Sequence, residues 1–185
     1  MNITFIILGV LAVVAIWAIA TYNKLIAIRV RVKEAWADID IQLKRRYDLI
    51  PNLVNTVKGY AKHEEGTFEK VTKARTAAMS AQGAHDQAQA ENMLTGALKS
   101  VFALSENYPE LKANESFLEL QKELSDTENK IMSARRFFNT LVRDLNTTIA
   151  TVPTNIIANI FKFTVAEYFD LDSDTKAREN VEVKF

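Results

Sequence analysis

His63-Glu64-Glu65-Gly66-Thr67 begins like the helix of a zinc protease, in which two histidines one turn apart hold the metal and an intervening glutamate acts as general base. Thr67 stands where the second histidine is needed, so the ligand set is incomplete. Asp170-Leu171-Asp172-Ser173-Asp174 begins like a calcium loop. There, Thr175 replaces the turn glycine and Val181 the bidentate glutamate. The other histidine, His85, is expected in a loop far along the chain, which makes a histidine acid–base or metal pair improbable. With no cysteine there is no thiolate ligand, nucleophile or disulfide, and the five glycines are too scattered to cradle a phosphate. No catalytic, cofactor-binding or metal-binding residue is assigned, and an enzyme is not expected.

Two arginine pairs remain. Arg45-Arg46 and Arg135-Arg136 each interrupt an apolar stripe and straddle its edge, so one member of each pair should face inward. An inward guanidinium must find an acid or a carbonyl, because an unpaired buried charge is strongly unfavourable. Asp40, Asp48, Glu123 and Glu128 are the expected partners. The pairs read as ion-paired staples between helices, with a lipid or anion site as the alternative.

The elements that carry these residues are helical. Five glycines and three prolines among 185 residues, 48% of them hydrophobic, favour long helices over many short strands, and the length suffices for one sizeable core. The 23 basic and 23 acidic residues cancel, so no overall field recruits nucleic acid, and none is expected as a partner.

From Ile3 to Ala20 the chain carries no charge over about 18 residues, roughly 27 Å of helix, which is enough to cross a bilayer. A cleaved signal peptide is the rival, since Ala18-Ile19-Ala20 resembles a cleavage site. The run lacks a preceding lysine or arginine and exceeds the usual apolar length of a signal, which favours an uncleaved anchor. Lys24, Arg29, Arg31 and Lys33 follow with no acid among them, which sets the N-terminus outside and the rest in the cytoplasm. Trp17 and Tyr22 suit the aromatic belt at that interface, and the four basic residues suit anionic headgroups.

Neither glycine nor proline interrupts the chain between Gly9 and Ile50, so anchor and first soluble helix are expected to form one rod. Trp36, Ile39, Leu43, Tyr47, Ile50, Val54, Val57 and Ala61 make its core stripe, with a kink but no chain reversal at Pro51. Gly66 is the expected break. A shorter helix carrying Phe68, Val71, Arg75, Ala78 and Met79 follows, and Gly83 to Asp86 reads as the next turn. A third helix bears Met93, Leu94, Ala97, Leu98, Val101 and Leu104 and ends before Pro109. The fourth keeps heptad-like spacing from Phe117 to Ile149, interrupted once by Thr127 and Glu128.

Pro153 opens a short helix through Ile156, Ile157 and Ile160. Phe161, Phe163, Tyr168 and Phe169 then crowd together, as a tail folded onto its own bundle or as a surface for self-association. An acidic stretch and an alternating end from Asn180 to Phe185 complete the chain. The expected fold class is all-α: a transmembrane helix running into an antiparallel four-helix bundle, with a short C-terminal helix and extended tail. Residues 1–22 form the anchor, 23–152 the cytoplasmic bundle and 153–185 the tail.

The string from Trp36 to Glu64, WADIDIQLKRRYDLIPNLVNTVKGYAKHE, resembles the signature segment of the LemA family. Tyr22 to Leu25, Ala134 to Asn139, Val152 to Ala158, Phe161 to Phe169 and Glu179 to Phe185 extend the resemblance over essentially the whole chain. Thr147-Thr148 departs from the Tyr-Asn often found there, which touches only local packing. The resemblance implies a single-pass bacterial membrane protein with an N-out anchor and a cytoplasmic four-helix domain, and supplies no catalytic residues. It also implies an association of magnetosome relatives with membrane biogenesis, and of other members with membrane zinc proteases. The expected function is a self-associating scaffold at the membrane, in contact with lipids and further copies of itself. The alternative is an adaptor for another membrane protein, such as an envelope-stress or quality-control protease.

Overall fold

A computed structural model describes residues 3–169, and these are helical without strands. Six helices follow in order: α1 (Ile3–Lys58), α2 (Glu65–Ser80), α3 (Ala84–Ser105), α4 (Pro109–Lys112), α5 (Glu115–Ala150) and α6 (Thr154–Ile160). The acidic stretch from Asp170 and the alternating end from Asn180 to Phe185 lie outside the described residues. The chain divides into two compact units. One comprises the described residues of 1–41 and 131–166, the other those of 42–130 and 167–185.

The first helix passes through Pro51 without a break and ends at Lys58. Its stripe buries Ile39, Leu43, Tyr47, Ile50, Leu53, Val54 and Val57. The chain reverses one turn earlier than Gly66. Tyr60 and Ala61 donate their amides to the Val57 carbonyl, and α2 already begins at Glu65. Gly66 falls in the first turn of α2, where an added methyl would meet nothing within 4 Å, so it breaks nothing. Gly83 does mark a turn. Its φ of 84° lies in the left-handed region that a side chain disfavours, and α3 starts at the next residue.

In the 42–130 unit, Phe68, Val71 and Ala78 of α2 are buried, as are Leu94, Leu98 and Val101 of α3. Met79 and Met93, expected in the stripes, are exposed, because the buried face of α2 runs through Phe68, Val71 and Ala78 and that of α3 through Gln87, Glu91, Leu94, Leu98 and Val101. Pro109 opens the short α4, whose missing amide costs nothing in a first turn. Asn114 then caps α5, its Oδ1 accepting the Phe117 amide at 3.0 Å while its Nδ2 donates to the Tyr60 hydroxyl.

The other unit is assembled from apolar side chains. Ile131, Phe138, Val142 and Leu145 of α5 are buried, and Phe138 meets Trp36 edge to face at 5.4 Å between ring centres. After α5 the chain turns over a cis Val152–Pro153 bond into α6. Thr154 Oγ1 donates to the Thr148 carbonyl at 2.6 Å. The segment beyond α6 is tied to α5 by two bonds between Asn146 and the Ala166 backbone.

Candidate functional site

Two features of the molecule depart from an ordinary soluble helical protein. The first is the N-terminal quarter of α1. From Ile3 to Ile16 every side chain is exposed, with Ile3, Phe5, Val10, Leu11, Val13 and Ile16 around the whole circumference. A soluble helix hides one apolar face and shows water a polar one; this segment has no polar face to show. It is long and apolar enough to cross a membrane and fits a membrane-associated protein.

At its C-terminal end Trp17, Ala18, Tyr22 and Ile26 pack on a small core of Leu25, Ile157, Ala158 and Phe163. Tyr22 lies 4.6 Å from the Phe161 ring and 6.0 Å from that of Phe163. The Arg29 guanidinium sits 5.0 Å from the centre of the Phe163 ring. Lys24, Arg31 and Lys33 are exposed on the same helix. Two of the four aromatic residues singled out for self-association are therefore not surface at all. Phe163 and Phe169 are buried in the chain's own packing, whereas Phe161 and Tyr168 keep substantial exposure.

The second feature is buried charge in the 42–130 unit. Arg46 donates from Nη1 to Glu91 at 2.9 Å and from Nη2 to Thr95 at 2.7 Å, and Nη2 also pairs with Glu128 at 3.0 Å. Arg46 and Glu91 are almost wholly shielded from solvent, while Glu128 is partly exposed. The Tyr47 hydroxyl donates to the second Glu91 oxygen. Gln87 Nε2 bonds the Tyr47 hydroxyl at 2.9 Å, the Ala78 carbonyl at 3.1 Å and Glu91 at 3.1 Å, and Arg75 Nε holds the Tyr47 carbonyl at 2.8 Å. Residues from α1, α2, α3 and α5 thus meet in one hydrogen-bonded cluster.

Burial pushes the Glu91 carboxyl above the ordinary carboxylate range, against the pull of Tyr47, Arg46 and Gln87, with Glu128 adding a like charge. Burial, together with the adjoining Glu91 carboxylate, holds the Tyr47 phenol strongly in its protonated form. A groove of about 300 Å³ opens beside the cluster, walled by Leu98, Phe102 and Leu124. Both terminal nitrogens of Arg46 are already committed to Glu91, Thr95 and Glu128, which leaves the guanidinium poorly placed to hold an external anion.

The other predicted ionic residues are dispersed. Arg45 pairs with Glu123 at the surface. Asp40 and Asp48 are exposed, Arg135 is half-buried, and Arg136 is exposed with Nη2 3.5 Å from its own helix's Met132 sulfur. His63 lies in the turn after α1, while His85 sits in the first turn of α3, not in a loop, with Nε2 2.9 Å from Gln89 Nε2. Sequence reasoning missed Glu91, the principal partner of Arg46. Its signal was present: Gln87 and Glu91 are spaced four apart in phase with Leu94 and Leu98, which places an acid on a core face.

The sequence model of the LemA family matches residues 35–185. Protein LemA of Metamycoplasma hominis is 27% identical over 169 residues, covering 85% of this chain and 75% of that protein. Magnetosome proteins MamQ 1 and MamQ 2 of Paramagnetospirillum magneticum are each 23% identical over 191 residues, covering 88% of this chain and 70% of theirs.

Proposed function

The chain belongs to the LemA family, and on that footing we propose that it is a single-pass protein of the bacterial inner membrane that self-associates as a scaffold, organising or remodelling the bilayer. The observation that carries this reading is the fully exposed apolar start of α1, Ile3 to Ile16, continuous in one helix with the charged remainder that ends at Lys58. Lys24, Arg29, Arg31 and Lys33 follow the apolar run without an intervening acid, which supports an external N-terminus and a cytoplasmic remainder. In this reading α1, α2, α3 and α5 form an antiparallel four-helix bundle. Lipids and further copies of the chain are its partners, nucleic acid is not, and it performs no catalysis.

Exposed Ile41 and Phe137 offer apolar surface that a second copy would cover. That two relatives are named magnetosome proteins favours a role in building a cellular structure over a catalytic one. Extraction of the full chain in mild detergent, followed by light scattering on the sized particle, tests the proposal. The protein mass should be a multiple of 20.9 kDa. A particle holding one copy contradicts it, and one copy bound to a different membrane protein favours the adaptor.

A further inference from the structure

The segment around α6 presents the wrong surface for water. Ile157, Ala158 and Phe163 face inward onto Leu25, yet the outward positions are again apolar: Val152 is 79% exposed, Ile156 53%, Ile160 64%, Phe161 54% and Val165 66%. From Leu145 to Ala166 the single charged side chain is Lys162, in a protein of which a quarter is charged. Thr147, Thr151, Asn159, Lys162 and Thr164 are the exposed polar residues among them.

The place of this surface identifies what covers it. The α6 core packs against Trp17, Ala18, Tyr22 and Ile26, a stretch of about 14 Å along α1 that begins in the last turn of the apolar run and reaches into the basic collar. This packing sets α6 beside the last turn of the apolar run, at the level where, in the proposed reading, the helix leaves the hydrocarbon. Apolar side chains mixed with asparagine, threonine and one lysine suit the boundary between headgroups and acyl chains. There, an interfacial element buries its apolar side by about 5–10 Å while a lysine reaches back to phosphate.

We propose that residues 151–166 form a second membrane-contacting element, a wedge seated in the leaflet beside α1 with Val152, Ile156, Ile160 and Phe161 among the acyl chains. This rests on the reading that the apolar start of α1 lies in the bilayer. A wedge in one leaflet adds area to that leaflet alone, so it would supply a scaffold with a means of bending the membrane.

The chain has no cysteine, so single labels are readily placed. Ile156→Cys, Ile160→Cys, Val10→Cys and Asp48→Cys, each carrying an environment-sensitive NBD fluorophore, are reconstituted as full chains in phosphatidylethanolamine–phosphatidylglycerol vesicles. Nitroxide-bearing lipids then report depth. Labels at 156 and 160 should emit to the blue and be quenched more by a shallow nitroxide than by a deep one. The label at 10 should be quenched by the deep one and that at 48 by neither. Quenching at 10 with red-shifted, unquenched emission at 156 and 160 overturns the wedge and leaves the anchor standing. Blue-shifted but unquenched emission at 156 and 160 assigns the face to a protein contact and also overturns it. No quenching at 10 removes the anchor, and the wedge with it.

Discussion

The two compact units solve the same problem with different interiors. The 1–41/131–166 unit packs Trp36 on Phe138 and buries Val142 and Leu145. The 42–130 unit keeps an arginine, a glutamate, a tyrosine hydroxyl and a glutamine within its core. Apolar packing is graded: each side chain removed costs its own area and cavity. A buried polar network is closer to all or none, since each member lost strands the charge or donor it satisfied. The network also specifies register, because Arg46 reaches Glu91, Thr95 and Glu128 together only when α1, α3 and α5 are correctly aligned.

Breaking the polar interior should have the largest effect. Glu91→Ala leaves Arg46 buried with only the partly exposed Glu128 opposite, and should cost about 4 kcal/mol in a denaturant titration of the full chain in detergent. Adding Arg46→Met and Tyr47→Phe, with leucine in place of alanine at 91, removes the stranded groups together and should recover most of that loss. A triple variant as unstable as the single one would show that the network is not the cause.

In the apolar interior, Phe138→Ala should cost about 3 kcal/mol through the lost ring and the cavity against Trp36. Phe138→Leu should cost clearly less. If the leucine variant were as damaged as the alanine one, the apolar unit would be no more graded than the polar one.

The smallest effect is on the pH dependence of stability. The folded Tyr47 phenol is shifted up, so its contribution is fully present below the unfolded value of 10.0 and is lost as pH rises above it. Glu91 is also raised. Its contribution is greatest below the unfolded value of 4.5 and declines as pH climbs through the folded one, so this carboxyl does not make the fold acid-labile. Tyr47→Phe should cost about 1 kcal/mol at neutral pH and flatten the loss of stability above pH 10. Denaturant midpoints across pH measure both. An alkaline slope unchanged in the variant would place the sensitivity elsewhere.

Periodicity made most of the helices readable. The stripe from Ile39 to Val57 and the spacing from Phe117 to Leu145 are core-facing, and Gly83 turns the chain on its positive φ. What escaped was tertiary. Gly66 looks like Gly59 in a sequence, but only Gly59 follows the last residue of a helix. Met93 and Leu94 are equally apolar neighbours, and the polar pair Gln87 and Glu91 decides which way α3 rolls. That choice depends on Arg46, 45 residues away, which no local pattern reports. The aromatic tail admitted two readings for the same reason, since its fold-back rests on Tyr22 and Leu25, far earlier in the chain.

Cryo-electron microscopy of the full-length chain extracted with its lipids decides whether copies assemble on the membrane. A self-associating scaffold gives a repeating assembly of several copies bound to a bilayer whose curvature follows the array. Isolated single copies in a flat bilayer would contradict it.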